Sequence, residues 1–161
     1  VCVWIRKMPI FGNMMYASRG PVCDIHNKEV LEQLTDGIKE VLKYTDLVLL
    51  DIKHIDDEKC KDLVGVSNKK ELEFARYLSD NNIHMWIRQV LVPGYTDDEQ
   101  DLLKLKKFIS TLKTVDKIEI LPYHDMGRYK WEKLGLKYEL DGVRVANDED
   151  VKKAKKILEF S

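Results

Sequence analysis

The stretch LVLLDIKH, residues 47–54, decides the fold class of this 161-residue chain. Its first four residues form a continuous apolar run, which is typical of a parallel strand that helices cover on both faces. Asp51 and Lys53 follow two residues apart, so their side chains point to the same face of the strand. Since α/β enzymes carry their chemistry at the carboxyl ends of parallel strands, this acid and base favour a functional site over an ordinary surface ion pair.

Polar residues also mark two later strands. Arg88 lies inside the apolar run WIRQVL, residues 86–91, and His124 ends the run IEILPYH, residues 118–124. Arg88 is either a snorkelling arginine stacked on an aromatic ring or a fork that holds a carboxylate or phosphate. His124 is either structural or functional, and its place just past a strand end leaves both interpretations open. His54, directly after Lys53, is expected to be exposed.

From residue 29 onwards, helices and strands are predicted to alternate in the order α-β-α-β-α-β-α, which is typical of right-handed βα units in a parallel sheet. Helices are predicted at about 29–44, 56–63, 68–80, 97–113, 130–134 and 148–159, and strands at 47–52, 84–91 and 117–121. Thr96-x-x-Glu99 predicts a capping box, and Asn147 is predicted to cap the last helix. Three strands form a small sheet, which indicates part of a barrel or open sheet.

Residues 1–28 show no clear period, so no element is assigned to them and a boundary is placed after residue 28. The rest of the chain, residues 29–161, is predicted to form one α/β domain. A truncated gene, a frameshifted start and a rearranged sequence are all open as origins of the first segment.

Composition excludes several classes of protein. The 27 basic and 28 acidic residues give a net charge of -1, which argues against a nucleic-acid surface. The sequence lacks the apolar run of about 18 or more residues that a membrane span needs, so no membrane contact is expected. Cys2, Cys23 and Cys60 are odd in number and far apart, and no C-x-x-C occurs. A reducing cytoplasm is therefore a simpler interpretation than a disulfide framework.

Six colinear motifs point to a known family. They are DIKH at 51–54, DLVGVSN at 62–68, LEFARYL at 72–78, WIRQVLVPGYTDD at 86–98, LPYHDMGRYKWEKLG at 121–135 and YELDGV at 138–143. From about residue 38 to its end, the chain resembles the pyruvate formate-lyase activating enzymes, which are radical S-adenosylmethionine enzymes. The resemblance implies the C-terminal half of a partial (β/α)6, TIM-like barrel, which is the parallel-sheet half of the radical SAM fold.

The resemblance also implies roles for the strand-end residues. Asp51 and Lys53 match the Asp-x-Lys motif near the methionine end of S-adenosylmethionine, a bound monovalent cation and the incoming glycine loop. Leu49 matches a position whose backbone carbonyl helps to hold that cation, so Leu49 and Asp51 are the implied metal ligands. Arg88 matches the arginine that reaches the methionyl carboxylate, and His124 matches the histidine of the Leu-Pro-Tyr-His motif near the cofactor.

The family's activity depends on parts that this sequence lacks. Its members use a 4Fe–4S cluster to cleave S-adenosylmethionine reductively, and the resulting radical takes a hydrogen from a glycine of a partner such as pyruvate formate-lyase. The CxxxCxxC cluster motif, the Gly-Gly-Glu-Pro type motif and the Asp-Thr pair of the cation site are absent, and the three cysteines cannot replace them. Because cleavage then has no electron source, the isolated chain is expected to be inactive.

Two alternatives to a catalytic half-site stay open. The chain could be a non-catalytic module that binds the glycine loop of a glycyl radical enzyme in a groove around Asp51, Lys53 and His124. It could also be an α/β domain whose strand-end polar residues are structural. Half a barrel would leave a strand edge unpaired, and association or poor solubility is expected unless residues 1–28 cover that edge.

Overall fold

The computed structural model describes residues 4–8, 12–16 and 27–159. The fold divides into two compact units, unit 1 from Val1 to Tyr44 and unit 2 from Thr45 to Ser161. The helix that begins at Lys28 lies in unit 1.

Unit 1 contains a β-hairpin and a helix among its described residues. Strands β1 (Trp4–Met8) and β2 (Gly12–Tyr16) pair antiparallel, and helix α1 spans Lys28–Leu42. The hairpin was not predicted, because WIRKM and GNMMY lack the strict alternation of apolar and polar residues that identifies a strand. The helix was predicted, and Asn27 caps it by accepting a hydrogen bond from the backbone N–H of Val30.

Unit 2 confirms the predicted alternation of strand and helix. Its elements are β3 (Val48–Asp51), α2 (Asp57–Val64), α3 (Lys69–Asp80), β4 (Met85–Leu91), α4 (Glu99–Ile109), β5 (Val115–Pro122), α5 (Arg128–Lys133) and α6 (Asp148–Leu158). The three strands form a parallel sheet in the order β3-β4-β5, so each strand lies beside the next one along the chain. This is the geometry that βα units produce.

Local signals fix several of these helix ends. Asp56 caps α2 by accepting from two backbone N–H groups, and Gly65 ends the same helix in the left-handed conformation at φ 79°. Asn147 begins α6 with a reciprocal capping box to Asp150, as its position in the sequence predicted.

The capping box predicted at Thr96 is wrong. Asp98 caps α4 instead, accepting from the backbone N–H of Asp101 at 3.1 Å. The Thr96 hydroxyl is buried and satisfies the turn after β4, since it accepts from the N–H of Val92 and donates to the carbonyl of Val90, both at 2.7 Å. Buried backbone groups need such partners, and this need decided the role of the hydroxyl.

The core lies on one face of the sheet. In β4 the side chains of Met85, Ile87 and Leu91 are fully buried, while the alternate residues are only half-buried. In β3, by contrast, Leu49 is 47% exposed and lies beside Trp86 of β4. The expectation that helices cover both faces of β3 is therefore wrong within the described residues, and we call this second surface the open face of the sheet.

Candidate functional site

Three of the residues predicted from strand ends meet on the open face. Asp51 of β3 lies directly opposite Arg88 of β4 in the parallel register. The Asp51 carboxylate accepts a hydrogen bond from Nε of Arg88 at 2.6 Å and another from Nζ of Lys53 at 2.9 Å. The prediction that Asp51 and Lys53 share a face is confirmed, and Arg88 joins them in what we call the Asp51 cluster.

The charge of the Asp51 cluster suits an anion. One carboxylate faces two cations, so the three side chains together carry one net positive charge. Their side chains are partly exposed, at 28% for Asp51, 31% for Arg88 and 41% for Lys53, which leaves the cluster open to a ligand. Arg88 uses Nε for Asp51, and the terminal nitrogens of a guanidinium group have the fork geometry that matches a carboxylate.

The neighbouring strand does not neutralise this charge. Glu119 of β5 lies opposite Arg88, but its carboxylate accepts a hydrogen bond from Nζ of Lys117 at 2.8 Å. The same ammonium group lies 4.4 Å from the ring centroid of Trp86, where the aromatic face attracts a cation. Arg88 therefore keeps Asp51 as its ion-pair partner, and the open face continues as a mixed apolar and charged surface.

Glu71 is a further member of this region that sequence reasoning missed. It lies in the first turn of α3, and its Oε1 accepts the backbone N–H of Lys53 at 2.8 Å. Burial raises the pKa of Glu71 above its ordinary value of 4.5, while the bond from Lys53 acts in the opposite direction. An acid in the first turn of a helix is common for dipole reasons alone, so the sequence carried no signal of this contact.

His54 was expected to be exposed, and this is wrong. The side chain is 2% exposed and makes hydrogen bonds at both ring nitrogens, with the backbone N–H of Asp56 and the carbonyl of Tyr95. The cause is the alternation of side chains along an extended segment, because Lys53 points to the open face and the next residue points into the core.

The structure does not connect the other two predicted residues to the Asp51 cluster by any described hydrogen bond. Leu49 lies on β3, where the N–H of Val48 donates to the carbonyl of His84, just before β4, and the N–H of Ile52, just after β3, donates to the carbonyl of Arg88. In a parallel ladder the intervening residues turn their backbone groups the other way, so the Leu49 carbonyl points to the free edge of β3. His124 follows the end of β5 and is exposed, next to the buried Tyr123, whose hydroxyl bonds that of Tyr138 at 2.7 Å.

The described residues do not fit an iron–sulfur cluster. Across the described ranges, His, Cys, Asp and Glu side chains nowhere gather in a group of three or more that could hold a metal ion. Cys60 is buried on α2, and this burial raises the pKa of its thiol. Cys2 and Cys23 lie outside the described residues. No reaction step can therefore be derived through a cluster held by this part of the chain.

Other features of the described surface lie away from the strand ends. A cavity of about 280 Å³ is lined by residues of β5 and α6, and none of the predicted site residues contributes to it. Within the described part of the chain, no helix combines the length and the apolar character needed to cross a membrane.

Comparison with known families gives a different match for each part of the chain. The model of the FemAB family matches residues 1–85, which is more than half of the sequence. Over this stretch the chain belongs to the FemAB family. Unit 1 lies entirely inside the FemAB match, together with β3, α2 and α3 of unit 2.

The similarity that covers more of the chain is to an enzyme family. The pyruvate formate-lyase-activating enzymes of Staphylococcus aureus strains USA300, NCTC 8325 and MRSA252 are each 53% identical to this chain over 122 residues. This match covers 76% of the chain but 49% of each relative, so the chain spans about half the length of the curated relatives it matches. The chain is thus a partial homologue of these activating enzymes, as the sequence motifs predicted.

A solved structure supports the fold of the same part. A domain of a pyruvate-formate lyase-activating enzyme from Bacteroides vulgatus superposes with a TM-score of 0.62, covering 76% of this chain and 67% of that one. The identity is 22%, so this likeness bears on the fold alone. It confirms an α/β fold with a three-stranded parallel sheet that resembles a domain of such an enzyme.

The FemAB match and the activating-enzyme match overlap, because 85 and 122 residues together exceed the 161 residues of the chain. The fold shows to which compact unit the residues shared by the two matches belong. Strand β3 pairs with β4 in the parallel sheet, and residues 45–85 belong to the same compact unit as the rest of that sheet. The shared residues from 45 to 85 therefore lie in the same compact unit as the rest of the parallel sheet, although the FemAB model matches them as well.

Proposed function

We propose that unit 2 is the C-terminal half of a radical SAM barrel of the type that activates glycyl radical enzymes, and that it binds the methionyl end of S-adenosylmethionine. The observation that carries this proposal is the Asp51 cluster, in which Arg88 of β4 and Lys53, just after β3, place two cations around the Asp51 carboxylate. The 53% identity to activating enzymes supports the assignment of the cluster to that cofactor.

Each residue of the site has a distinct proposed role. Arg88 binds the methionyl carboxylate with its terminal nitrogens, and Asp51 orients the guanidinium group through Nε. Lys53 adds a second positive charge beside the same carboxylate. The Leu49 carbonyl and Asp51 contribute to a monovalent cation site at the free edge of β3, and His124 contacts the cofactor from the end of β5. When bound, S-adenosylmethionine would supply the radical chemistry of the family's reaction.

The whole activity needs more than this chain provides in its described residues. The proposed partner is a glycyl radical enzyme such as pyruvate formate-lyase, whose glycine loop approaches the open face of the sheet. The proposed compartment is the cytoplasm, as for the parent reaction. Because the described residues hold no set of iron ligands, the chain by itself binds the cofactor without cleaving it.

Calorimetric titration of S-adenosylmethionine into the chain tests the proposed site. Arg88→Ala is expected to lower the affinity by about tenfold or more, since a charge-assisted hydrogen bond contributes about 1.5–3 kcal/mol. Arg76→Ala is the matched control, because Arg76 lies on the exposed surface of α3 over the ring of Phe108. Absence of binding, or equal effects of the two substitutions, would reject the proposal.

A second experiment tests the reaction itself. Residues 45–161 are joined to the N-terminal half of the Staphylococcus aureus relative, and the glycyl radical formed on pyruvate formate-lyase is measured by electron paramagnetic resonance. A radical signal that Arg88→Ala abolishes is expected. A well-folded chimera that binds iron and cleaves no S-adenosylmethionine would show that unit 2 is not a working half.

A second candidate function is favoured by the apolar part of the open face. Leu49 is 47% exposed and lies beside Trp86, next to the Asp51 cluster. Such a surface suits a peptide loop, so the chain could bind the glycine loop of a partner without catalysis. Binding of a glycine-loop peptide in the absence of S-adenosylmethionine would favour this function, and a strict requirement for the cofactor would reject it.

A further inference from the structure

We propose that His54 is a positioning residue, which holds the segment carrying Asp51 and Lys53 against the turn that follows β4. The effect of His54 on ligand binding rests on the proposed function, whereas the hydrogen bonds of His54 are observed independently of that function. His54 is the residue directly after Lys53, it is 2% exposed, and none of the roles proposed above uses it.

The hydrogen bonds of the ring define one protonation state. The backbone N–H of Asp56 can only donate, so Nδ1 of His54 accepts it at 3.0 Å and carries no proton. The carbonyl of Tyr95 can only accept, so Nε2 carries the proton and donates it at 3.2 Å. The two contacts agree on a neutral ring with its proton on Nε2, and both of its polar atoms are used.

These two bonds join separate parts of the chain. Asp56 is the cap of α2, which follows β3, while Tyr95 lies in the turn after β4, whose backbone is closed by bonds from Tyr95 and Thr96 to the carbonyl of Val92. His54 therefore connects the carboxyl end of β3 with the carboxyl end of β4. These are the two strands that carry Asp51 and Arg88.

Neighbouring side chains hold the same segment at each residue. Glu71 accepts the N–H of Lys53 at 2.8 Å, and the amide of Asn68 donates to the carbonyls of His54 at 2.9 Å and Ile55 at 2.7 Å. Asn68 is itself buried, and its side chain makes no cap hydrogen bond to α3 despite its position at the start of that helix. The backbone of Lys53, His54 and Ile55 is thus held by the side chains of Glu71 and Asn68.

A buried acid completes the surroundings of the ring. Oδ2 of Asp101, in the first turn of α4, lies 3.7 Å from Nε2 of His54 and is 4% exposed. Burial raises its pKa, but hydrogen bonds from Lys104 and Lys59 outweigh burial and hold the pKa of Asp101 below its ordinary value. Two lysines pair with this carboxylate, so Asp101 has ion-pair partners other than the ring of His54.

The consequence concerns Lys53. Its long side chain is 41% exposed and has one described ion-pair partner, Asp51. A flexible ammonium group binds a ligand better when its backbone is already fixed, because less conformational entropy is lost on binding. We infer that His54 reduces this entropic cost by fixing the backbone next to Lys53.

Two amide substitutions at His54 distinguish the loss of its hydrogen bond to Tyr95 from a general loss of stability. Glutamine places an amide nitrogen at about the distance of Nε2, so His54→Gln can still donate to the Tyr95 carbonyl. Asparagine reaches only as far as Nδ1, so His54→Asn can still accept from Asp56 but cannot reach Tyr95. Both are measured by amide hydrogen exchange in the full chain and by the affinity for S-adenosylmethionine.

The expected result differs between the two variants. His54→Asn speeds exchange of the Lys53 amide by about tenfold relative to amides of β4, as expected for the loss of one buried hydrogen bond. It also weakens binding of S-adenosylmethionine by about fivefold, while His54→Gln returns both values to within about twofold of the unmodified chain.

The two measurements fail in different ways. If the Lys53 amide exchanges equally fast in both variants, the hydrogen bond from His54 to Tyr95 does not hold the segment, whatever the effect on binding. Faster exchange with unchanged affinity in His54→Asn overturns the positioning role. If the unmodified chain binds no S-adenosylmethionine, the proposed function falls, and hydrogen exchange alone then decides whether His54 holds the segment.

Discussion

Helices α1 and α4 have the same kind of sequence and very different surroundings. Both carry apolar residues at helical spacing, and the sequence predicted both. In α4 that face is buried, including Leu102 and Leu105 at 2% exposure each. In α1 the corresponding residues Leu31, Ile38 and Val41 are between 36% and 41% exposed. Periodicity therefore predicts that a helix forms and which face is apolar, but long-range topology decides what covers that face.

The same contrast extends to the two units. Unit 1 combines an antiparallel hairpin with one helix, and unit 2 builds a parallel sheet with helices on one face. The FemAB match contains all of unit 1, whereas the sheet of unit 2 resembles an activating-enzyme domain. Two compact units are expected to respond independently to substitution, and paired changes can test this.

The largest expected effect comes from paired isoleucine truncations. Ile87→Ala in β4 removes a fully buried side chain and is expected to lower the free energy of unfolding of unit 2 by about 2–5 kcal/mol. Ile38→Ala in α1 removes a side chain that is 41% exposed, and the expected loss is below about 1 kcal/mol. Urea unfolding monitored by far-UV circular dichroism measures both. Equal losses would mean that the surroundings of Ile87 in β4 and of Ile38 in α1 do not differ as described.

The next effect concerns a buried and an exposed aspartate. Asp101→Asn replaces a carboxylate that accepts from two lysines, and the expected loss is about 1–3 kcal/mol at pH 7. Asp36→Asn on α1 is the control, because Asp36 is 78% exposed and its ion pair with Lys39 contributes little. If Asp36→Asn costs as much as Asp101→Asn, burial does not set the difference.

The pH dependence of the Asp101 effect has a definite sign. The folded pKa of Asp101 lies below its ordinary value of 3.8, so its carboxylate stabilises the folded state above that value. The stability difference between the chain and Asp101→Asn should be constant around pH 7 and shrink as the pH falls below 3.8 towards the folded pKa. Urea unfolding at pH 7, 4 and 3 measures this, and a difference that grows on acidification would contradict the assigned contacts.

Two asparagine caps provide a smaller comparison. Asn147 accepts from Glu149 and Asp150 and forms a full capping box, while Asn27 accepts only from Val30 at 3.2 Å among the described contacts. Asn147→Ala is expected to cost about 1 kcal/mol and Asn27→Ala about 0.5 kcal/mol. Amide hydrogen exchange, recorded separately for α6 and for α1, measures the loss of stability of each helix. A larger loss at Asn27 would reverse the ranking of the two caps.

Sequence predicted most of unit 2 because its signals are local. The apolar run before Asp51, the left-handed Gly65 and the cap at Asn147 all act through neighbouring residues, and the structure places an element end at each. Thr96 was misassigned because its hydroxyl serves a buried turn, and that need depends on the tertiary structure. The hairpin of unit 1 was missed because its two strands lack alternation.

The candidate site was predictable in part, where its signals are local in the sequence. Strand alternation put Asp51 and Lys53 on one face, and strand-end polarity selected Arg88, which the register then placed opposite Asp51. Glu71 and His54 were missed, because their contacts join residues that are 18 and 41 positions apart in the sequence. Such contacts follow from how βα units pack, and no spacing rule along one chain reveals them.

The smallest expected effect lies at Gly37, inside α1. A Cβ at this position would meet nothing within 4 Å, and alanine is a better helix former than glycine. Gly37→Ala is therefore expected to stabilise α1 by about 0.5–1 kcal/mol, seen as slower amide exchange across Lys28–Leu42. Amides of α4 serve as the internal reference, and their exchange should not change. If the amides of α4 slow equally, the two units unfold together as one cooperative structure.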